Sequence, residues 1–257
     1  MIQIKNAKEL DGMRRANALS AAALKYGGEH IEAGMTTWEL DKLIEDFIRR
    51  HGGTPNFKGL YGFPGSACIS LNDTVIHGIP SRNEVIRPGD IVSIDTGAKV
   101  DGFNGDNACT YAVGRVDLEV RRLLEVTKEA LHLGIAQAVA GNRIGDIGHA
   151  VQSHCEAAGF SVVREFVGHG TGRELHEDPE VPNYGTPGRG PRLVPGMTIA
   201  IEPMICQKDS KIKTLSDGWT VKTRDGGMAA HFEHSVAILK DRTEILTLGW
   251  EDPNFTL

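Results

Sequence analysis

The chain has 257 residues, enough for one large domain or two small ones. Hydrophobic residues make up 40% and charged residues 24%, ordinary proportions for a globular enzyme. A formal charge of −6 implies no general affinity for nucleic acid or membrane. No apolar run approaches the roughly 18 residues of a membrane span, and the N-terminal MIQIKNAKELDGMRRAN lacks the apolar stretch of a signal peptide. Cysteines 68, 109, 155 and 206 form no CxxC pair, which argues against a structural zinc site or a disulfide framework and fits a reducing cytoplasm.

Leu10, Met13, Ala16, Leu19 and Leu24 recur near helical spacing and predict a helix over 8–26, closed by Gly27-Gly28. Thr36 or Thr37 caps a second helix with Glu39 in its first turn; Leu40, Leu43, Ile44, Phe47 and Ile48 give it an apolar face, and His51-Gly52-Gly53 ends it. Segment 54–82 is rich in Gly, Pro and aromatics, with a short strand over 67–71. Residues 91–106, IVSIDTGAKVDGFNGD, alternate as a strand and turn at Asp101-Gly102, which predicts a hairpin. With an even-numbered turn, Asp95 and Asp106 share one face. Carboxylates so placed repel unless a cation lies between them or one keeps a proton. The order then repeats, with helices over 117–140 and 144–158, strands opening at Val162-Val163, and a strand over 193–206 like the first of the hairpin. A polar loop over 207–214 and a short strand over 218–221 follow. The last strand, over 228–239, puts His231, Glu233 and Ser235 on one face and Phe232, His234 and Val236 on the other.

One offset relates the halves. Moving 107 residues along the chain takes Asp95 to Glu202, Pro88-Gly89 to Pro195-Gly196, Ala33-Gly34 to Ala140-Gly141, Leu40 to Ile147 and Gly52 to Gly159. This predicts an internal duplication within a single domain over 1–257, with pseudo-repeats at about 8–115 and 116–240. Asp95 and Glu202 then take equivalent places about a pseudo-twofold axis, facing one central site.

Asp95, Asp106, Glu202 and Glu233 all lie in or at the end of apolar strands. Any one alone reads more readily as a salt-bridged or surface carboxylate than as a ligand. Together they lack a matching set of strand-borne Lys or Arg, and two divalent cations would balance them. His169, in Phe166-Val167-Gly168-His169-Gly170-Thr171-Gly172, is a fifth ligand candidate, with glycines that let backbone approach a ligand. The same glycines could cradle a nucleotide, but the pattern is GxGxG, not GxGxxG, and lacks a strand-to-helix context. An oxygen-rich set with one imidazole suits Mn²⁺, Fe²⁺ or Co²⁺ and admits Zn²⁺. A two-metal site activates water and polarises a carbonyl, which is hydrolytic equipment. His77 and His176 sit near Gly and Pro in predicted loops. Alone each reads as a packed or surface histidine; beside such a site they would donate to a substrate amide and to an oxyanion. Cys68, in the apolar Ala67-Cys68-Ile69, reads as a packed thiol.

Several stretches together resemble the type I methionine aminopeptidases: FVGHGTGRELHEDPEVPNY (166–184), CISLNDTVIHGIP (68–80), the D-x10-D pair, IEPM (201–204) and FEHSVAI (232–238). The motifs occur in family order over essentially the whole chain. The resemblance implies the α/β (α+β) pita-bread fold, two pseudo-symmetric helix-helix-strand halves around a dinuclear metal site. It implies that Asp95 binds one metal, His169 and Glu202 the other, and Asp106 and Glu233 bridge them, with Co²⁺, Mn²⁺, Fe²⁺ or Zn²⁺ as the cofactors. Glu202 would shuttle the proton, His77 and His176 would contact substrate and serve catalysis, and Phe63, Cys68 and Trp219 would line a thioether pocket. Leu60, Leu175 and Thr171 depart from the family pattern. The implied activity removes an N-terminal methionine from nascent chains when the next residue is small. The implied setting is a cytoplasmic monomer that visits the ribosome transiently and binds neither nucleic acid nor membrane. Two rivals remain. One is a proline-directed peptidase of the same fold, which usually carries an additional N-terminal domain. The other is a non-catalytic pita-bread module, which would have lost ligands that are all present here.

Overall fold

In the computed structural model, which describes residues 1–257, helix α1 (Ala7–Glu29) starts from a capping box. The Asn6 side chain accepts the Glu9 N–H, and the Glu9 carboxylate accepts the Asn6 N–H. Gly27-Gly28 does not stop the helix as expected. The pair serves packing instead: a Cβ on Gly27 would lie 2.9 Å from Ile44 Cδ1, and one on Gly28 2.3 Å from the Tyr111 ring. Helix α2 (Thr37–Arg50) is capped by Thr36 with Glu39 and buries Leu40, Ile44 and Ile48. Strands β1 (Thr54–Pro55), β2 (Ala67–Leu71) and β3 (Thr74–Ile76) lead to the hairpin of β4 (Ile91–Val100) and β5 (Phe103–Ala112). Helices α3 (Leu118–Gln137) and α4 (Ile144–Ala157) follow, then β6 (Ser161–Val162), β7 (Gly168–Gly170), β8 (Glu177–Val181), β9 (Thr198–Ile201) and β10 (Met204–Cys206). The chain closes with β11 (Ile212–Thr214), β12 (Val221–Thr223), β13 (Ala229–His231), β14 (Glu233–Ile238) and β15 (Thr243–Ile245).

Nine strands form one antiparallel sheet in the order β1-β4-β5-β14-β9-β7-β8, with β2 also on β4 and β15 on β14. Two small sheets, β13-β10-β6 and β11-β12-β3, adjoin it. One core joins Leu24, Leu40 and Ile44 of the first helix pair, Leu123, Leu131 and Ile147 of the second, and Ile94, Ile199 and Val236 of the large sheet. Burying this apolar surface, at roughly 25 cal/mol per Å², is the main source of stability. No helix is long and apolar enough to cross a membrane.

Positions 107 residues apart occupy matching places. Helices α2 and α4 coincide residue for residue, 37–50 onto 144–157. Glu39 accepts the Thr36 N–H at 2.8 Å, and Asp146 accepts the Arg143 N–H at 2.7 Å. The isolated bridge Thr36–Val85 recurs as Arg143–Arg192. Gly34 donates to the Ile86 carbonyl at 2.8 Å and Gly141 to that of Leu193 at 2.9 Å. These two glycines have φ of 99° and 102°, a left-handed backbone that penalises any side chain.

Two expected strands are broken. The one over 193–206 stops at Glu202-Pro203, because Pro203 has no N–H with which to continue the ladder. The one over 228–239 is interrupted at Phe232. On one side of each break, β9 and β14 pair in the large sheet; on the other, β10 and β13 pair in a small one. Glu202 and Glu233 therefore stand where two sheets part. The strand expected over 218–221 begins instead at Val221, since Asp217 accepts the N–H groups of Trp219 and Thr220 at 2.8 and 2.9 Å and fixes a turn. The loop over 207–214 contains β11.

Helix α1 lies directly on β5 at Gly105, where a Cβ would stand 2.4 Å from the Ala16 carbonyl oxygen. Gly105→Ala is expected to cost about 3 kcal/mol of stability by overpacking. Denaturant unfolding checks this, and an unchanged midpoint would contradict the close approach.

Candidate metal centre

Strand register aims the acidic residues at one another. Asp95 of β4 and Glu233 of β14 both oppose Ala108 of β5, from its two sides. Asp106 lies two residues from Ala108 and so on the same face. His234 pairs with Ile201, which leaves Glu202, one residue past the end of β9, beside Glu233. Gly170 of β7 pairs with Ile199, so the adjacent His169 shares the face of Glu202. Ligand atoms of Asp106, His169 and Glu233 all lie within 4.8 Å of one another. His169 Nε2 is 3.5 Å from Asp106 Oδ2 and 3.5 Å from Glu202 Oε1.

These five residues open into a cavity of about 540 Å³, which His77, His176, Phe63, Cys68 and Trp219 also line. All ten residues singled out from the sequence therefore meet in one place. At its apolar end Phe57, Phe63, Cys68 and Leu175 are buried together, with Leu60, Ile79 and Trp219 packed on them. The Phe63 and Trp219 rings meet edge to face at 5.1 Å. Of the three departures from the family pattern, Leu60 and Leu175 line the cavity, whereas Thr171 is buried outside it. Phe57 had no motif to single it out, and His231, which ends β13 just before the break at Phe232, was not singled out as a site residue either.

The histidines are held in place by their neighbours. The His77 ring lies edge-on between Phe166 and Trp219, at 5.5 and 6.1 Å, on a residue with φ of 57°. A strained backbone at a non-glycine residue is a recurrent feature of functional sites. His176 packs edge to face on His169 at 4.4 Å. Burial pushes His77 down to about 4 and lowers His176 as well, so both are neutral N–H donors at pH 7. His169 Nδ1 lies 2.8 Å from the Gly170 carbonyl oxygen, to which only an N–H can bond. Neutral His169 therefore turns the lone pair of Nε2 toward the carboxylates. Burial, then repulsion by Asp95, keeps the Cys68 thiol protonated and unsuited to nucleophilic attack.

The electrostatics fit divalent cations. Asp106, Glu202 and Glu233 have no Lys or Arg partner, and neither does Asp95; only His169 and His231 approach the set. Asp95 Oδ1, Asp106 Oδ1 and Glu233 Oε1 are buried without a hydrogen-bond donor. Burial, reinforced by the repulsion of Glu202, pushes Asp95 up to about 7, and burial pushes Glu202 up to about 8. Burial and neighbouring carboxylates drive Asp106 and Glu233 well above the usual range. Such a cluster is stable as carboxylates only with compensating positive charge, and an oxygen-rich set with one imidazole is a donor set for divalent transition metals.

The nine-stranded sheet, its two helix pairs and this buried acidic centre define a metallohydrolase of the pita-bread fold. The chain belongs to metallopeptidase family M24, whose model matches residues 11–240. Within that family it groups with the methionine aminopeptidases. It is 52% identical to the methionine aminopeptidase of Clostridium perfringens over 248 residues, which cover 96% of this chain and 99% of that protein. It is 49% identical to methionine aminopeptidase 1 of Bacillus subtilis over 247 residues, again 96% and 99% of the two chains. The crystal structure of the methionine aminopeptidase from Thermotoga maritima superposes with a TM-score of 0.94 at 44% identity, covering 96% of this chain and 99% of that one.

Proposed function

We propose that this chain hydrolyses the peptide bond after an N-terminal methionine when the second residue is small, acting on nascent polypeptides. The observation that carries this reading is the shared cavity: four carboxylates, those of Asp106 and Glu233 buried and those of Asp95 and Glu202 half-buried, and one imidazole face a pocket walled by Phe57, Phe63, Cys68, Leu175 and Trp219. An unbranched thioether suits such an apolar pocket. We further propose that the chain works as one catalytic unit over 1–257, with pseudo-repeats at about 8–115 and 116–240. Its setting would be cytoplasmic, as a monomer visiting the ribosome transiently.

In this reading Asp95, Asp106, His169, Glu202 and Glu233 hold two divalent cations. Such a pair supplies an activated water and a polarised carbonyl. Glu202 takes up a proton at its carboxylate and returns it to the leaving amine, a role open to a carboxylate that faces the same cavity as His77 and His176. Neutral His176 donates an N–H to the oxygen that gains charge in the tetrahedral intermediate. His77 donates to the substrate amide and orients it, held there by Phe166 and Trp219. The apolar wall excludes water from the side-chain pocket.

Met-Ala and Xaa-Pro peptides discriminate the readings. Methionine release from Met-Ala should be abolished by EDTA and restored by Co²⁺ or Mn²⁺. His176→Ala should lower kcat by about 10²–10³ with a smaller change in KM. Faster cleavage of a Xaa-Pro peptide lacking methionine would instead favour the proline-directed reading.

A further inference from the structure

Glu202 stands between two imidazoles. Its Oε1 lies 3.5 Å from His169 Nε2, and its Oε2 lies 3.5 Å from Nε2 of His231. The His231 side chain is 2% exposed, and its Nε2 has no hydrogen-bond partner. Glu202 Oε2 is the acceptor in front of it. A lone pair on Nε2 would oppose the lone pairs of the carboxylate, whereas an N–H there makes the same contact attractive. The remaining few tenths of an ångström to a normal hydrogen bond are within the closing movement of an active-site carboxylate.

The backbone of His231 is fixed from β5. Its N–H donates to Thr110 Oγ1 at 2.9 Å, and the Thr110 hydroxyl donates to the His231 carbonyl at 2.8 Å. That uses the single hydroxyl proton of Thr110, so Ser93 Oγ, 2.8 Å away, must be the donor in its own bond to Thr110. The ring is thus placed by the sheet that carries Asp95 and Asp106, and not by a loop. Rigid outer partners of this kind orient a ligand and strengthen metal binding.

We propose that His231 is a positioning residue for Glu202: its Nε2–H donates to Oε2 and so turns Oε1 toward His169 and the cation side of the cavity. This inference rests on the metal-centre reading above. The test is a titration of metal-free protein with Co²⁺, followed by its visible absorption. His231→Leu keeps volume without a donor and should bind Co²⁺ about 10–100-fold more weakly, with an altered ligand-field spectrum. His231→Ala replaces it should the leucine variant not fold, and circular dichroism in EDTA establishes folding. His231→Gln, whose amide N–H can reach the same oxygen, should retain affinity within about fivefold. Unchanged affinity in the donor-free variant would overturn the proposal. So would a loss in His231→Gln equal to that in His231→Leu, since the ring would then act by shape or as a direct ligand. Absence of Co²⁺ binding by the wild type would instead remove the metal centre itself, and this inference with it.

Discussion

Asp106→Asn is expected to lower kcat/KM for a Met-Ala peptide by about three orders of magnitude or more, equivalent to about 4 kcal/mol on the barrier. Asp106 is 3% exposed, its Oδ1 has no hydrogen-bond partner, and its Oδ2 faces His169 at 3.5 Å. The amide keeps the shape of the side chain but removes the charge that, in the proposed centre, would neutralise a cation. The same substitution should act in the opposite direction on metal-free protein. Removing one of four mutually repelling carboxylates should raise Tm in EDTA at about pH 8. Peptide turnover and thermal unfolding of a single preparation test both signs. Activity that survives both chelation and Asp106→Asn would contradict the dinuclear centre.

Metal-free protein is expected to lose stability as pH rises from about 5.5 to about 8, with Tm falling by about 5 °C or more. Asp95 rises from 3.8 to about 7 on folding and Glu202 from 4.5 to about 8. Between the unfolded and folded values, the native state binds more protons than the unfolded chain. Stability therefore declines with pH across this window, and above it the cost of ionising buried carboxylates is borne in full. Cations bind the deprotonated ligands, so the Tm increment produced by Mn²⁺ should grow over the same interval. Scanning calorimetry at both pH values, in EDTA and in Mn²⁺, separates this contribution from every other titrating group. A metal-free Tm that rises toward pH 8 would count against it.

The acidic centre was legible because acidic residues are conspicuous on apolar strands. Asp95 and Asp106 were placed on one face by hairpin parity alone, and the observed register, Asp95 with Ala108 and Gly97 with Asp106, has that parity. The 107-residue offset was legible because Gly34, Gly89 and their counterparts Gly141 and Gly196 mark backbone with positive φ, a requirement written directly into the sequence. The breaks at Pro203 and Phe232 were less visible. Side-chain alternation continues across a point where a strand leaves one sheet for another, and the pairing partner that decides the matter is remote in sequence. Gly27-Gly28 misled for a related reason: the same residue that ends a helix also admits a close neighbour, here Ile44 and Tyr111. His231 and Phe57 were missed because their importance comes from what they touch, Glu202 in one case and the apolar pocket in the other.

Asp95 and Asp106 come from the first half of the chain, and His169, Glu202 and Glu233 from the second. If the two halves were separate molecules, the centre would exist only at concentrations that brought them together. On one chain that encounter is intramolecular, with an effective concentration in the millimolar range however little protein is present. Covalent joining also frees the halves from the identity that a symmetric pair imposes. The matched positions 95 and 202 hold an aspartate and a glutamate, one methylene apart, a difference no twofold assembly of a single sequence could maintain.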